Sequence, residues 1–270
     1  DPPLALYCVG NVSLLKGPNI AVVGSRKNSV YGKRIVQNFV GAFVDAGLTI
    51  VSGLALGTDT SAHERTLEKG GKTIAVLGGG VKKVYPTSNE GLARRITENG
   101  GLLVSEYTPY ASPAQYHFPQ RNRLITGLSK GLFISEAGLK SGVYATLKHA
   151  IEQGVPPYIV PGEIYSYSSL GSNEMIKSYH GSMVTSPEDV LRDLGTEYRA
   201  KEEKKHLLQL TAEEQKIAEC LQEGKKHISE IMQYTGFPFA DLNFTLANME
   251  LKSLVSKLPS NFYVLNTEAF

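Results

Sequence analysis

Gly24-Ser25-Arg26 is the first place in this sequence where residue types and spacing point to chemistry. A turn that leaves the carboxyl end of a parallel strand and enters a helix exposes unpaired backbone N–H groups, a natural seat for an anion. Gly24 permits close backbone approach, and Arg26 offers a two-pronged guanidinium to phosphate. The competing reading is that Gly24 only makes the turn and Arg26 is a solvated charge. A second turn runs from Ser52 to Asp59 with Gly53 and Gly57 flanking it, and Thr58 or Asp59 is expected to cap the helix that follows. Asp59 and His63 are four apart. That spacing suits an acid/base pair, or equally a cap and a core histidine.

Gly78-Gly79-Gly80, with Tyr85-Pro86 beyond, places flexible backbone at a third strand end. In the run His117 to Arg123, Phe118 offers a face to stack a base, Asn122 an amide, and Arg121 and Arg123 planar cations. Alternatively, Arg121 and Arg123 pair with Glu106 and Glu136 and hold the sheet's edge together. A fourth turn, Glu136 to Gly142, brings Lys140, Ser141 as a cap or phosphate donor, and Gly142. Ligands of open α/β sheets bind on the edge where such turns gather.

These turns need a sheet to hold them. Short apolar runs, rich in β-branched residues and bounded by Gly or Pro, recur at Ile20–Val23, Leu48–Val51, Thr73–Leu77, Leu102–Val104, Leu132–Ile134 and Tyr158–Val160. Continuous runs of this kind predict parallel strands buried on both faces. Amphipathic stretches between them, such as Lys33–Ala46, Asp59–Lys69 and Thr146–Gln153, predict helices. The alternation predicts a Rossmann-like, doubly wound, mostly parallel α/β sheet over residues 1–194. Residues 195–205 read as a charged linker. In 206–270, Thr211 and Glu214 form a capping-box pattern, and helices are predicted to Gln222, over Ile228–Tyr234 and from Phe239 to Lys252. A hairpin around Pro259 completes a small winged helix-turn-helix.

Composition narrows the function. The chain has 270 residues, 41% hydrophobic and 20% charged, with a net charge of +2. That charge is unevenly placed: residues 1–194 hold 19 Lys and Arg against 15 Asp and Glu, whereas 206–270 hold 5 against 8. Attraction for a polyanion therefore belongs to the first part. The third helix of the second part carries Asp241 and Glu250 and is followed by Lys252 alone, which favours protein contact or weak duplex binding there. No apolar run reaches about 18 residues, so no membrane helix is expected. Two distant cysteines, Cys8 and Cys220, suit a reducing compartment rather than a disulfide framework or a metal cluster. A G-x-G-x-x-G fingerprint and a GxxxxGK[ST] loop are both missing, which disfavours dinucleotide and ATP chemistry. The start at Asp1-Pro2-Pro3 reads as continuing from residues upstream.

Taken in order, Gly24-Ser25-Arg26 with Tyr31-Gly32, Ser52 to Asp59 with His63, Gly71 to Leu77, Tyr85-Pro86, Leu103 to Glu106, Phe118-Pro119 with Arg121-Asn122-Arg123, Ser141-Gly142 and Val160-Pro161-Gly162 resemble the DNA-processing protein A (DprA, Smf) family. The resemblance covers about residues 1–190, and the tail loosely follows the winged-helix domain that many members carry. It implies a cytoplasmic, non-enzymatic protein of natural transformation that binds single-stranded DNA and helps load the RecA recombinase. Single-strand-binding protein is a further implied partner, as is a second copy in a homodimer, and no cofactor is implied. Carried over, phosphate contact falls to Gly24, Ser25 and Arg26 and a base to Phe118. Gly53, Gly57, Arg121, Asn122, Arg123, Ser141 and Gly142 complete the expected DNA-binding set. Val143-Tyr144 departs from the family's smaller residues after Ser141-Gly142. The alternative from another class is a Rossmann-like N-glycoside hydrolase of nucleotides using Asp59, His63 and Glu106. It would require Pro-Gly-Gly-x-Gly-Thr where this chain has Pro161-Gly162-Glu163-Ile164. A purely scaffolding protein is the third.

Overall fold

The computed structural model describes residues 1–196, 210–222, 224–252 and 254–266. Of the linker expected over 195–205, residues 197–205 lie outside these. Contacts divide the chain into two compact units, Asp1–Arg199 and Ala200–Phe270.

In the first unit the strands are β1 (Tyr7–Gly10), β2 (Asn19–Val23), β3 (Thr49–Ser52), β4 (Thr73–Val76), β5 (Leu102–Ser105), β6 (Leu132–Ile134), β7 (Pro157–Ile159) and β8 (Ser182–Met183). They form one sheet in the order β1-β5-β4-β3-β2-β6-β7-β8. Every pairing is parallel except β1 with β5. The helices are α1 (Val30–Asp45), α2 (Thr58–Glu68), α3 (Glu90–Glu98), α4 (His117–Gly127), α5 (Val143–Glu152), α6 (Leu170–Lys177) and α7 (Pro187–Asp193).

All six predicted strands are present to within one residue. Their continuity reflects burial from both sides, because side chains alternate between faces. Ile20 and Val22 of β2 pack with Val36, Phe39, Val40 and Phe43 of α1. Ala21 and Val23 pack on the other face with Leu124 and Ile125 of α4 and with Val143 and Leu147 of α5. Phe133 of β6 stacks on Phe39 at 4.6 Å between centroids and meets Phe43 edge-on at 5.4 Å. Helices α1 to α3 cover one face while the chain walks from β2 out to β5, and α4 to α6 cover the other as it returns through β6 to β8. The chain thus leaves the adjacent strands β2 and β6 in opposite directions. Such a reversal opens a crevice at the strands' carboxyl ends.

The second unit holds α8 (Ala212–Leu221), β9 (Lys226–His227), α9 (Ile228–Thr235), α10 (Phe239–Leu251), β10 (Val255–Leu258) and β11 (Phe262–Leu265). Its three strands form an antiparallel sheet in the order β10-β11-β9. The capping box at α8 is formed: Glu214 N–H donates to Thr211 Oγ at 3.2 Å and Thr211 N–H to Glu214 Oε2 at 3.0 Å. Gly236 ends α9 at φ 73°, a left-handed conformation that glycine adopts without strain. Leu242, Leu246 and Met249 are fully buried, as their spacing predicts. Strand β9 was not anticipated, since two residues carry no period.

Candidate functional site

An open cleft of about 910 Å³ lies over the carboxyl ends of β2 and β6. One wall is the loop after β2, Gly24 to Lys27. A second is the start of α4, where Phe118, Arg121, Asn122 and Ile125 share a face by their i, i+3, i+4, i+7 spacing. The third comprises Lys140, Ser141 and Gly142 after β6, with Tyr167 after β7. The run His117 to Arg123, read from sequence as a polar patch, is therefore helical. Pro119 is tolerated there because the N–H groups of a first turn lack intrahelical partners.

The loops are fastened to one another by the small and polar residues of the sequence motifs. Ser25 carbonyl accepts the N–H of Thr58 at 3.0 Å, and Thr58 Oγ1 donates to Asn28 Oδ1 at 2.6 Å. Gly57, at φ 82°, lies so near the Ser25 carbonyl that a Cβ there would collide with it. Gly24 is crowded in the same way by the hydroxyls of Ser135 and Thr58. Glu136 accepts from Ser29 N–H at 2.8 Å and from Ser29 Oγ at 2.6 Å, holding the start of α1 against the loop after β6. Tyr31 hydroxyl reaches Pro161 carbonyl at 2.6 Å. Four strand ends are thus locked into one platform, the setting in which preorganised donors act most strongly.

Several expected roles change. Neither Thr58 nor Asp59 caps α2 with its side chain. Asp59 instead accepts from the N–H groups of Gly53 at 3.1 Å and Ala55 at 3.2 Å, because the preceding loop folds back over it. Burial pushes its carboxyl above the usual range, against the pull of Arg121 and those two donors. Arg121, only 5% exposed, donates through Nη1 to the carbonyls of Gly53 and Val76. Burial lowers its pKa to about 10 even with Asp59 opposing. It pairs with neither Glu106 nor Glu136, and most of its guanidinium serves the platform. Arg123 does make the anticipated ion pair, donating to Glu106 at 2.8 and 2.9 Å, and also to Asp1 at 3.0 Å. Gly53, Gly57 and Arg123 do not line the cleft. Gly53 is buried against Arg121 and Asp59. His63 is buried too, with Nδ1 at 2.7 Å from Thr73 Oγ1, and burial followed by Arg121 lowers its pKa to about 3. It is a neutral core histidine. Gly142, not Ser141, is the N-cap of α5; Ser141 Oγ, one residue earlier, accepts the N–H of Val143 at 3.2 Å.

What remains free faces the cleft. Arg26 and Lys27 are exposed, and Arg26 lies 5.9 Å from the centroid of the Phe118 ring, with Arg121 at 6.0 Å from the same ring. Lys140 is exposed on the third wall. Among the described residues neither Arg26 nor Lys140 pairs with a carboxylate. The lining residues include four cations, Arg26, Lys27, Arg121 and Lys140, and one carboxylate, Asp59. A polyanion is therefore favoured, and low-dielectric walls concentrate that field. Tyr85, whose ring lies 5.7 Å from Phe118, also lines the cleft. Lys140 was legible as a cation beside a strand end. Tyr167 was not, because it stands in a serine-rich run with no periodic signal. Among the described residues no cluster of His, Cys, Asp or Glu is placed to hold a metal, and no helix is long and apolar enough to cross a membrane.

The family described as DNA recombination-mediator protein A matches residues 1–195. The chain is 42% identical over 193 residues to DNA processing protein DprA of Streptococcus pneumoniae, across 72% of this chain and 67% of that protein. It is 42% identical over 194 residues to Protein Smf of Escherichia coli, across 72% of this chain and 52% of that protein. Among solved structures, DNA processing protein A from Streptococcus pneumoniae is similar at a TM-score of 0.65 and 41% identity, covering 72% of this chain and 67% of that one. DNA processing protein A from Helicobacter pylori, described for its single-stranded DNA binding mode, is similar at 0.67 and 32% identity, covering 74% and 90%. The chain spans between about half and two thirds of the length of these curated relatives.

Proposed function

We propose that this chain, which belongs to the DNA recombination-mediator protein A family, binds single-stranded DNA in the cleft at the β2/β6 crossover. One observation carries this reading: the exposed guanidinium of Arg26 stands beside the half-buried Phe118 ring in a cleft with four cations. A cation for the backbone and an aromatic face for the base suffice for binding that tolerates any sequence, because every base has a π-face. The single-stranded DNA binding mode described for the Helicobacter pylori relative supports it.

The family supports a wider role. The protein acts in the cytoplasm during natural transformation, as a homodimer without turnover chemistry, and helps load RecA on strands shared with single-strand-binding protein. The domains are 1–194 for strand binding, 195–205 as linker, and 206–270 as a winged helix that contacts protein more than duplex. The absence of Lys and Arg from α10 supports that last assignment. The hydrolase alternative loses support, since His63 is sealed in the core and Asp59 is tied to backbone N–H groups.

Gel retardation of the whole chain with single-stranded and duplex oligonucleotides tests the reading. Single strands are expected to bind more tightly, with log K falling against log salt by about 0.7 per neutralised phosphate. Affinity unchanged by salt, or free base released from nucleoside monophosphates, would refute it.

A further inference from the structure

Resting on the strand-binding reading above, we propose that Tyr167 is a second base-stacking platform, so that the cleft seats two bases on two walls. Tyr167 is 67% exposed, yet its position is fixed. Its ring lies over Gly138, where a Cβ would come within 3.3 Å of Cε1, so the missing side chain makes the seat. Two successive turns hold the loop, Ser166 N–H to Glu163 carbonyl and Ser169 N–H to Ser166 carbonyl, each at 3.0 Å. The N–H groups of Gly171 and Ser172 then bind Ala137 carbonyl at 2.8 and 3.0 Å, tying the loop after β7 to the loop after β6.

An aromatic ring held this way and left two-thirds open has an unused face. Tyr165 is 89% exposed but lines no part of the cleft, so exposure alone does not single out Tyr167. Its neighbours do. Lys140, Ser141 and Gly142 line the same cleft as Tyr167, so a ring and a cation face one space. A base on Tyr167 would leave Lys140 in the same cleft to meet a phosphate of the strand. Stacking of this kind is indifferent to base identity.

The sequence contains no tryptophan, so Tyr167→Trp introduces a sole indole reporter. Saturating the whole protein with oligo(dT) is expected to quench that indole, and an abasic strand of equal length to leave it unchanged. Tyr167→Ala is expected to weaken oligo(dT) binding about 5- to 100-fold. Abasic-strand binding should stay within about 2-fold, and Tyr165→Ala should alter neither. Retarded oligo(dT) with an unquenched indole would overturn the inference and leave strand binding standing. Equal losses on both strands would assign Tyr167 to loop structure instead. Wild-type protein that retards no single strand would overturn both readings.

Discussion

At the carboxyl edge of the large sheet, Arg26, Lys27 and Lys140 bring exposed charge to a cleft, whereas two lysines of the second unit are hydrogen-bonded within it. Lys252, at the end of α10, donates to Glu214 at 2.7 Å. Lys216 reaches Thr235 carbonyl at 3.0 Å, and Lys225 and Lys257 lie over the rings of Phe262 and Tyr263. Helix α10 itself exposes Phe244 at 70% and Leu251 at 85%, beside Asp241 and Glu250. Among the described residues, exposed cations stand beside aromatic rings in both units, but in the first Arg26, Lys27 and Lys140 gather with Phe118 and Tyr85 around one cleft. Charge counted over a segment matters less than where the exposed charges gather.

The sharpest way to break this contrast is to exchange roles within the cleft. Arg121→Ala removes a buried cation, its hydrogen bonds to two carbonyls and the charge that offsets Asp59. Urea unfolding should register a loss of about 3–5 kcal/mol, and a change below 1 would mean the platform does not depend on it. Arg26→Ala should do the reverse. Its stability should shift by no more than about 0.5 kcal/mol, while oligonucleotide affinity falls by about 1–3 kcal/mol and the salt slope shrinks by about 0.7. An Arg26 variant that melts early yet binds normally would invert the comparison. The smallest effect concerns the second unit. Burial would raise the Glu214 carboxyl, but the Lys252 hydrogen bond and Thr211 N–H outweigh it and hold the pKa below the ordinary value. A depressed folded-state pKa stabilises the protein above the unfolded value and loses that contribution as pH falls through the folded one. Lys252→Met should therefore flatten the acid limb of the stability profile below the usual glutamate range. A limb identical to wild type would show that Lys252 is not engaged.

The six central strands of the large sheet were legible because burial on both faces writes itself as uninterrupted β-branched runs, whereas β1 and β8, at its two more exposed edges, were not. The turns that gather at the site were legible too, by residue type. Their roles were not. Gly24 and Gly57 resemble glycines that admit a ligand, yet the close approach each permits is to a neighbouring loop of the same protein. Arg26, Arg121 and Arg123 are one residue type with three fates: Arg26 stands on an open loop, while the register of α4 turns Arg121 to buried carbonyls and Arg123 to carboxylates. Leu54 is the extreme case. It is fully buried in a left-handed conformation at φ 57°, with its carbonyl accepting from Asn89 at 2.9 Å. Nothing in a leucine's identity announces that strain, which persists because the surroundings over-determine it.

The adjacency of β2 and β6 bears on how the protein is made. Asn19 Nδ2 donates to Leu128 carbonyl at 3.0 Å across 109 residues of chain. Strands β2 to β5 can assemble once Ser105 has been synthesised, but their partner at the crevice arrives later, after a costly long-range closure. Growth from the ribosome therefore finishes one wall well before the other. A stalled or truncated polypeptide would display the Arg26 turn with nothing across from it, so the cleft becomes a property of the completed molecule alone.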